Sequence, residues 1–188
     1  MKKTLFIIVL FSSLQIQAQK LPEQSIKAGT GIGLQIGPYS STGLMAQLGY
    51  QRTIINNKWK LNPNFNYYSY SSFFPIGAQP LDVKSYALEV NLFYDINVST
   101  GAQLFLGIGA FTSLLEGRVT KSDPDEPGYK ELNESISEYY AGGVLSGGLR
   151  LGKPGGRTMW TIVPFSLYVG TKNYLELYLL KFQFDIKL

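Results

Sequence analysis

Six charged side chains, Lys27, Glu89, Asp95, Arg150, Lys181 and Asp185, recur within apolar surroundings in a chain that has no histidine and no cysteine. Without histidine, Ser-His-Asp hydrolysis, His-assisted acyl transfer and most zinc sites are excluded. Glu89 and Asp95 resemble a glycosidase acid pair only on paper. Six residues along a strand separate them by ~20 Å, against the ~5–9.5 Å that such chemistry uses. The glycine clusters 29–33 (GTGIG) and 107–109 (GIG) lie in strand-like sequence with no helix after them, so they suit close packing or strand curvature rather than a phosphate. The acidic segment KSDPDEPGYKELNE (121–134), with Asp123, Asp125, Glu126, Glu131 and Glu134, could bind divalent cations. Its spacing matches no calcium loop, and a solvated loop is the simpler account. No catalytic, cofactor or metal residue is assigned.

The elements that must position these charges have a period of two, which predicts strands. Eight stretches show it: 25–37, 43–54, 58–70, 83–97, 101–114, 138–151, 158–169 and the last residues of the chain. In the third, Trp59, Leu61, Phe65 and Tyr67 oppose Lys60, Asn62, Asn64 and Asn66, and Pro63 predicts a bulge or a gap in the ladder because proline has no N–H. The seventh alternates poorly, and Met159, Val163, Phe165, Leu167 and Val169 are assigned to its apolar face. The links 56–57, 98–101 and 152–157 are short, whereas 71–80 and 116–137 are long. Short and long links tend to fall at opposite strand ends, as in an up-and-down antiparallel set, although 38–42 and 170–173 are short where long ones are expected.

Eight such strands close into a small barrel and leave no edge. Lipid outside is favoured by a polar face poor in charge, built of Gly31, Gly33, Gln47, Gly49, Asn62, Asn64, Gly107 and Gly109, and by strands longer than soluble sheets use. The aromatic residues of the apolar face collect near the strand ends. Tyr50, Trp59 and Tyr94 form one girdle, and Tyr67, Tyr86, Tyr139 and Tyr174 the other. In this arrangement the six charges named first, with Lys187, point inward, where pairing into a network that plugs the lumen outweighs a narrow pore or a small ligand site. Phe93, Phe105, Phe111, Leu175, Leu177 and Leu179 also fall inside, which is the main support for a soluble barrel.

The pattern resembles the small bacterial outer-membrane β-barrel family, of the eight-stranded OmpA-domain or OmpX kind. The resemblance implies an all-β transmembrane barrel with short periplasmic turns and longer extracellular loops. It also implies that the closing strand, through Leu180, Phe182, Phe184, Ile186 and Leu188, is read by the outer-membrane assembly machinery, with Leu188 where the family usually has phenylalanine. Asp185 and Lys187 are expected near the turn rim, within reach of water.

MKKTLFIIVLFSSLQIQAQ opens with two lysines and a short apolar run, which predicts a secretory signal over residues 1–18, export through the Sec pathway and a barrel domain over 19–188. Loss of Lys2 and Lys3 lowers the formal charge from +4 to +2, so nucleic acid is not an expected partner. The expected partners are outer-membrane lipids, lipopolysaccharide, the assembly machinery and other envelope proteins. The function expected is non-enzymatic: envelope integrity, adhesion or restricted passage of small solutes. The alternative is a secreted lipocalin-like barrel holding a hydrophobic ligand.

Overall fold

The computed structural model of the chain describes residues 23–36, 41–55, 58–70, 81–99, 101–122, 131–153 and 156–188. Residues 1–18, expected to be a secretory signal, and the core of the acidic segment lie outside them. Every regular element described is a strand: β1 Gln24–Ile36, β2 Ser41–Ile55, β3 Trp59–Tyr70, β4 Leu81–Ser99, β5 Ala102–Ser122, β6 Glu131–Leu151, β7 Thr158–Gly170 and β8 Leu175–Lys187. Each pairs antiparallel with its neighbour in sequence, and β1 pairs with β8, so the sheet closes as an eight-stranded up-and-down barrel. Closure satisfies the backbone of both terminal strands, which would otherwise be exposed edges.

Alternation places the polar side chains, glycines and a set of aromatic residues inside and a continuous band of aliphatic and aromatic side chains outside. Ile26, Leu48, Phe65, Leu88, Val90, Leu106, Ile108 and Leu145 are all exposed on the outer surface. Pro63 also faces outward and opens a gap in the β2–β3 ladder, without a bulge, because the register is the same on both sides of it. The Tyr50 carbonyl beside it accepts 2.8 Å from Asn62 Nδ2, which replaces the N–H that proline lacks.

Two expectations are corrected by a matched irregularity in the last hairpin. Val163 and Ser166 both face inward, as do Tyr178 and Lys181, so Pro164–Phe165 and Leu179–Leu180 each add one residue to the alternation. The register shifts where β7 meets β6 and where β8 meets β1. Met159 and Val163 are therefore buried inside rather than on the apolar outer face, while Leu175, Leu177 and Leu179 leave the lumen. A bulge reverses the face of everything beyond it.

The long link expected over 116–137 is mostly strand. β5 and β6 pair continuously up to Ser122 and Glu131, which leaves 123–130 between them. Glu131 and Glu134 belong to β6, whereas Asp123, Asp125 and Glu126 lie outside the described residues.

Candidate functional site

The interior is the place where the chain concentrates its charge. Near the rim that carries the short 56–57 and 152–157 links, Lys60 Nζ is 2.7 Å from Asp95 Oδ2, and Arg150 pairs with the other oxygen of the same carboxylate. Lys27 Nζ stands 3.6 Å from Asp185 Oδ2, which also accepts from Thr161 Oγ1 at 3.3 Å. Gln51 joins the two pairs, because its Oε1 accepts from Lys27 at 3.2 Å and from Arg150 at 3.3 Å. The guanidinium of Arg150, only 1 % exposed, lies 4.2 Å from the Phe105 ring centroid and 5.2 Å from that of Phe93. Buried aromatics are thus used here as faces for a cation.

Higher in the barrel the carboxylates are held by amides and phenols. Glu89 accepts from Asn66 at 2.6 Å, from Tyr168 at 2.8 Å and from Asn91. Lys181 donates to the Tyr168 hydroxyl at 2.7 Å and lies over the rings of Tyr168 and Tyr178. Glu176 accepts from Tyr174 at 2.5 Å and from Tyr70 and Tyr178. Tyr70 is on β3 and Glu176 on β8, so this bond crosses the lumen. Around them Met45, Tyr68, Phe111, Leu115, Tyr140 and Tyr174 pack into one apolar cluster.

All six charges singled out in the sequence, Lys27, Glu89, Asp95, Arg150, Lys181 and Asp185, are buried in the interior. Their contacts join them in two networks rather than one, Lys27, Asp95, Arg150 and Asp185 through Gln51 and Glu89 and Lys181 through Tyr168. Among the described residues, Lys60 and Glu176 are the other fully buried charges, giving four cations and four carboxylates. Lys60 was visible on the inward face of its strand. Glu176 was not, because an unbroken period of two counted back from Phe182 puts it outside. Asp185 is 0 % exposed, so it is not the water-reached rim residue expected, while Lys187 does reach the rim and pairs with Glu23.

The outer face carries the aromatic residues in two bands. The rings of Trp59 and Tyr94 meet at a tilt with centroids 5.0 Å apart, and those of Tyr67 and Tyr86 at 5.4 Å. Trp59 to Tyr67 spans eight residues, or ~26 Å along the strand, of the order of the ~25 Å apolar band of a membrane barrel once tilt shortens it. Tyr50 is half-buried on the outer side and Tyr139 is exposed. Tyr174 is the exception among the seven: it is 3 % exposed and packs inside on Tyr140 and Phe111. Its reversal follows from the bulge at Leu179–Leu180 and from the tight turn before it, where Lys172 and Asn173 both have positive φ and Tyr174 N donates to Thr171 O at 3.1 Å. Trp160, 58 % exposed and 4.8 Å from Phe184, is an outer aromatic at the turn rim that the poor alternation of β7 concealed. Of the C-terminal set, Phe182, Ile186 and Leu188 are exposed on the outer face, with Leu180 and Phe184 half-buried there.

Beyond the Tyr67–Tyr86 pair the outer face changes from apolar to charged. Lys84 stands opposite Glu116 and Asp82 opposite Arg118 on the extended β4–β5 ladder. Apolar band, aromatic borders and charged extension follow one another along a single strand, as they do where a barrel leaves lipid for water.

No protein-family model matches the chain, and no curated protein does. Several solved structures are similar to it, among them the following three. Neisserial surface protein A (NspA) is 15% identical with a TM-score of 0.60, over 88% of this chain and 97% of that one. Ail, the attachment invasion locus protein of Yersinia pestis, is 13% identical with a TM-score of 0.58, over 90% of this chain and 100% of its own. A major outer membrane protein from Thermus thermophilus is 10% identical with a TM-score of 0.54, over 88% of this chain and 99% of that one. At these identities the likeness is one of architecture, and with the closed antiparallel sheet described above it shows that this chain has the fold of the eight-stranded outer-membrane β-barrels.

Proposed function

We propose that the chain is a non-enzymatic protein of the bacterial outer membrane, inserted with its apolar face in lipid and its lumen plugged, and that it works through its surfaces in envelope integrity or adhesion. The observation that carries the reading is the inverted distribution of polarity. Leucine, isoleucine, valine and phenylalanine cover the outside, while among the described residues eight charged groups and Asn62, Asn64, Asn66 and Asn91 are sealed within. A soluble barrel with this surface would expose one continuous apolar band to water, far beyond the few hundred Å² that monomeric proteins tolerate. The lipocalin-like alternative also needs a cavity for its ligand. Here the inner positions are filled by side chains such as Arg150, Tyr140, Tyr168 and Tyr178 that are almost inaccessible to solvent.

The packed interior supports a plug in preference to restricted passage. The similar structures include one named as a surface protein and one as an attachment invasion locus protein, which agrees with a role at the cell surface. Cell fractionation with heat-modifiable gel migration tests the localisation: the folded chain should be extracted with outer membrane and migrate faster unheated than boiled. Planar-bilayer recording tests the plug, with a silent bilayer expected. Recovery of most of the protein in the detergent-free soluble fraction would overturn the membrane reading, and steady conductance would overturn the plug alone.

A further inference from the structure

We propose that the short-turn rim of the barrel is a binding ring for the headgroups of anionic phospholipids. The inference rests on the membrane reading above and adds a lipid class and a place to it. The charges of the molecule are sorted by height. Among the described residues, the fully buried charges of the interior are four cations and four carboxylates, which balance formally. The turn rim carries exposed Arg52, Lys58, Lys153 and Arg157, together with Lys187, and the acid described beside them is Glu23, already paired with Lys187. None of the first four has an ion-pair partner among the described residues. At the opposite end the cations meet acids, Lys84 opposite Glu116, Arg118 opposite Asp82 and Lys172 3.7 Å from Glu138. The 123–130 sequence that joins β5 to β6 adds three acids against one lysine. The net charge of +2 left after the signal is therefore a positive end and a negative end that partly cancel.

A lipid is favoured over an acidic macromolecule by where the cations stand. Arg52 shares the outer face of β2 with Tyr50 and Leu48, and is two residues beyond Tyr50. Lys58 Nζ is 6.0 Å from the centroid of Tyr94, which packs against Trp59 in the same girdle. Both cations thus flank the aromatic border on the side of the barrel wall, at the depth where headgroup phosphates lie. The second group is seated on the other side of the rim, because the link from β6 to β7 is four strands away from the link from β2 to β3 in the closed ring of eight, and the Arg157 carbonyl is held there by Lys187 N at 2.8 Å. Two cation groups a barrel width apart suit several separate phosphates better than one compact ligand.

The test uses the folded full chain in phosphatidylcholine vesicles containing spin-labelled phosphatidylglycerol or spin-labelled phosphatidylcholine as the reporting lipid. The expected result is association of phosphatidylglycerol about fivefold above phosphatidylcholine at low salt, falling to parity at about 1 M salt, where charges are screened within ~3 Å. The variant combining Arg52→Gln, Lys58→Gln, Lys153→Gln and Arg157→Gln should insert normally and lose the preference. The Lys84→Gln, Arg118→Gln variant should retain it. Parity in the unaltered chain, or an undiminished preference in the fourfold variant, would overturn the proposal, as would lipid parity combined with rim-dependent capture of soluble polyglutamate. Failure of the chain to enter vesicles and give a heat-modifiable band would overturn the membrane reading as well; insertion without preference overturns only the ring.

Discussion

Gln183 on β8 donates 2.7 Å to Gln47 on β2, directly across Gly29 of β1, which is the register partner of both. The bond exists because β1 offers no side chain between its neighbours. A Cβ at 29 would stand 2.8 Å from the Phe182 carbonyl and 2.9 Å from Gln183 Cγ, and the backbone contact cannot be relieved by a rotamer change. Gly29→Val should therefore break the amide bridge and strain the β1–β8 seam, at ~1–3 kcal/mol. Urea unfolding of the lipid-inserted barrel checks it. Gln47→Leu keeps the seam but removes one partner, and should cost less.

The Glu176 carboxylate is a second crossing point, since it accepts from phenols on β3 and β8 and from Tyr174 before β8. Glu176→Ala leaves three buried hydroxyls without their acceptor. At ~1–3 kcal/mol for each group left unsatisfied, the upper interior should loosen markedly, even after relaxation. Glu176→Gln keeps one accepting oxygen and should lose roughly half as much. Tyrosine fluorescence and unfolding midpoints of the two variants measure the order, and equal loss in both would remove the special role of Glu176.

Asp95 is the shared anion of Lys60 and Arg150. Asp95→Asn leaves two buried cations facing each other, and breaking a buried pair in this way costs ~3–5 kcal/mol. Removing one cation as well should restore much of the loss. The double variant Asp95→Asn, Lys60→Met is thus expected to be more stable than Asp95→Asn alone, which is opposite to the additive outcome and can be read from a double-mutant cycle in lipid.

The barrel was legible because a period of two survives in most strands. The β3 run of Lys60, Asn62, Asn64 and Asn66 against Trp59, Leu61, Phe65 and Tyr67 leaves no choice of face, and all four polar residues are buried. The hairpin of β7 and β8 was less legible. At Leu179–Leu180 two adjacent leucines both face outward, and the apolar phase changes there from Leu175, Leu177 and Leu179 to Leu180, Phe182 and Phe184. One unbroken period carried across that break, and across Pro164–Phe165 in the poorly alternating β7, put Tyr174, Glu176, Met159 and Val163 on the wrong side. The β5–β6 extension was hidden for a different reason. Its outer face carries Glu116, Arg118, Ser135 and Ser137, and a hairpin that meets water on that face has no apolar stripe to announce it.

The outer and inner faces of the closing strand should fail in different ways. Phe184 is half-buried on the outer side beside Trp160, and Asp185 is fully enclosed with Lys27 and Thr161. Phe184→Ser removes outward apolar surface from the strand that must pair with β1 and enter lipid, and at about 25 cal/mol per Å² of lost apolar contact it weakens insertion. Asp185→Asn leaves that surface intact. Its effect falls on Lys27, which loses a buried counter-ion, so the cost appears in the stability of the finished barrel rather than in the amount inserted. At matched synthesis, Phe184→Ser should lower the heat-modifiable fraction in membranes while Asp185→Asn leaves that fraction near normal and lowers the urea midpoint. Should both variants lower insertion equally and leave the midpoint unchanged, the two faces of β8 do not have the separate tasks assigned to them.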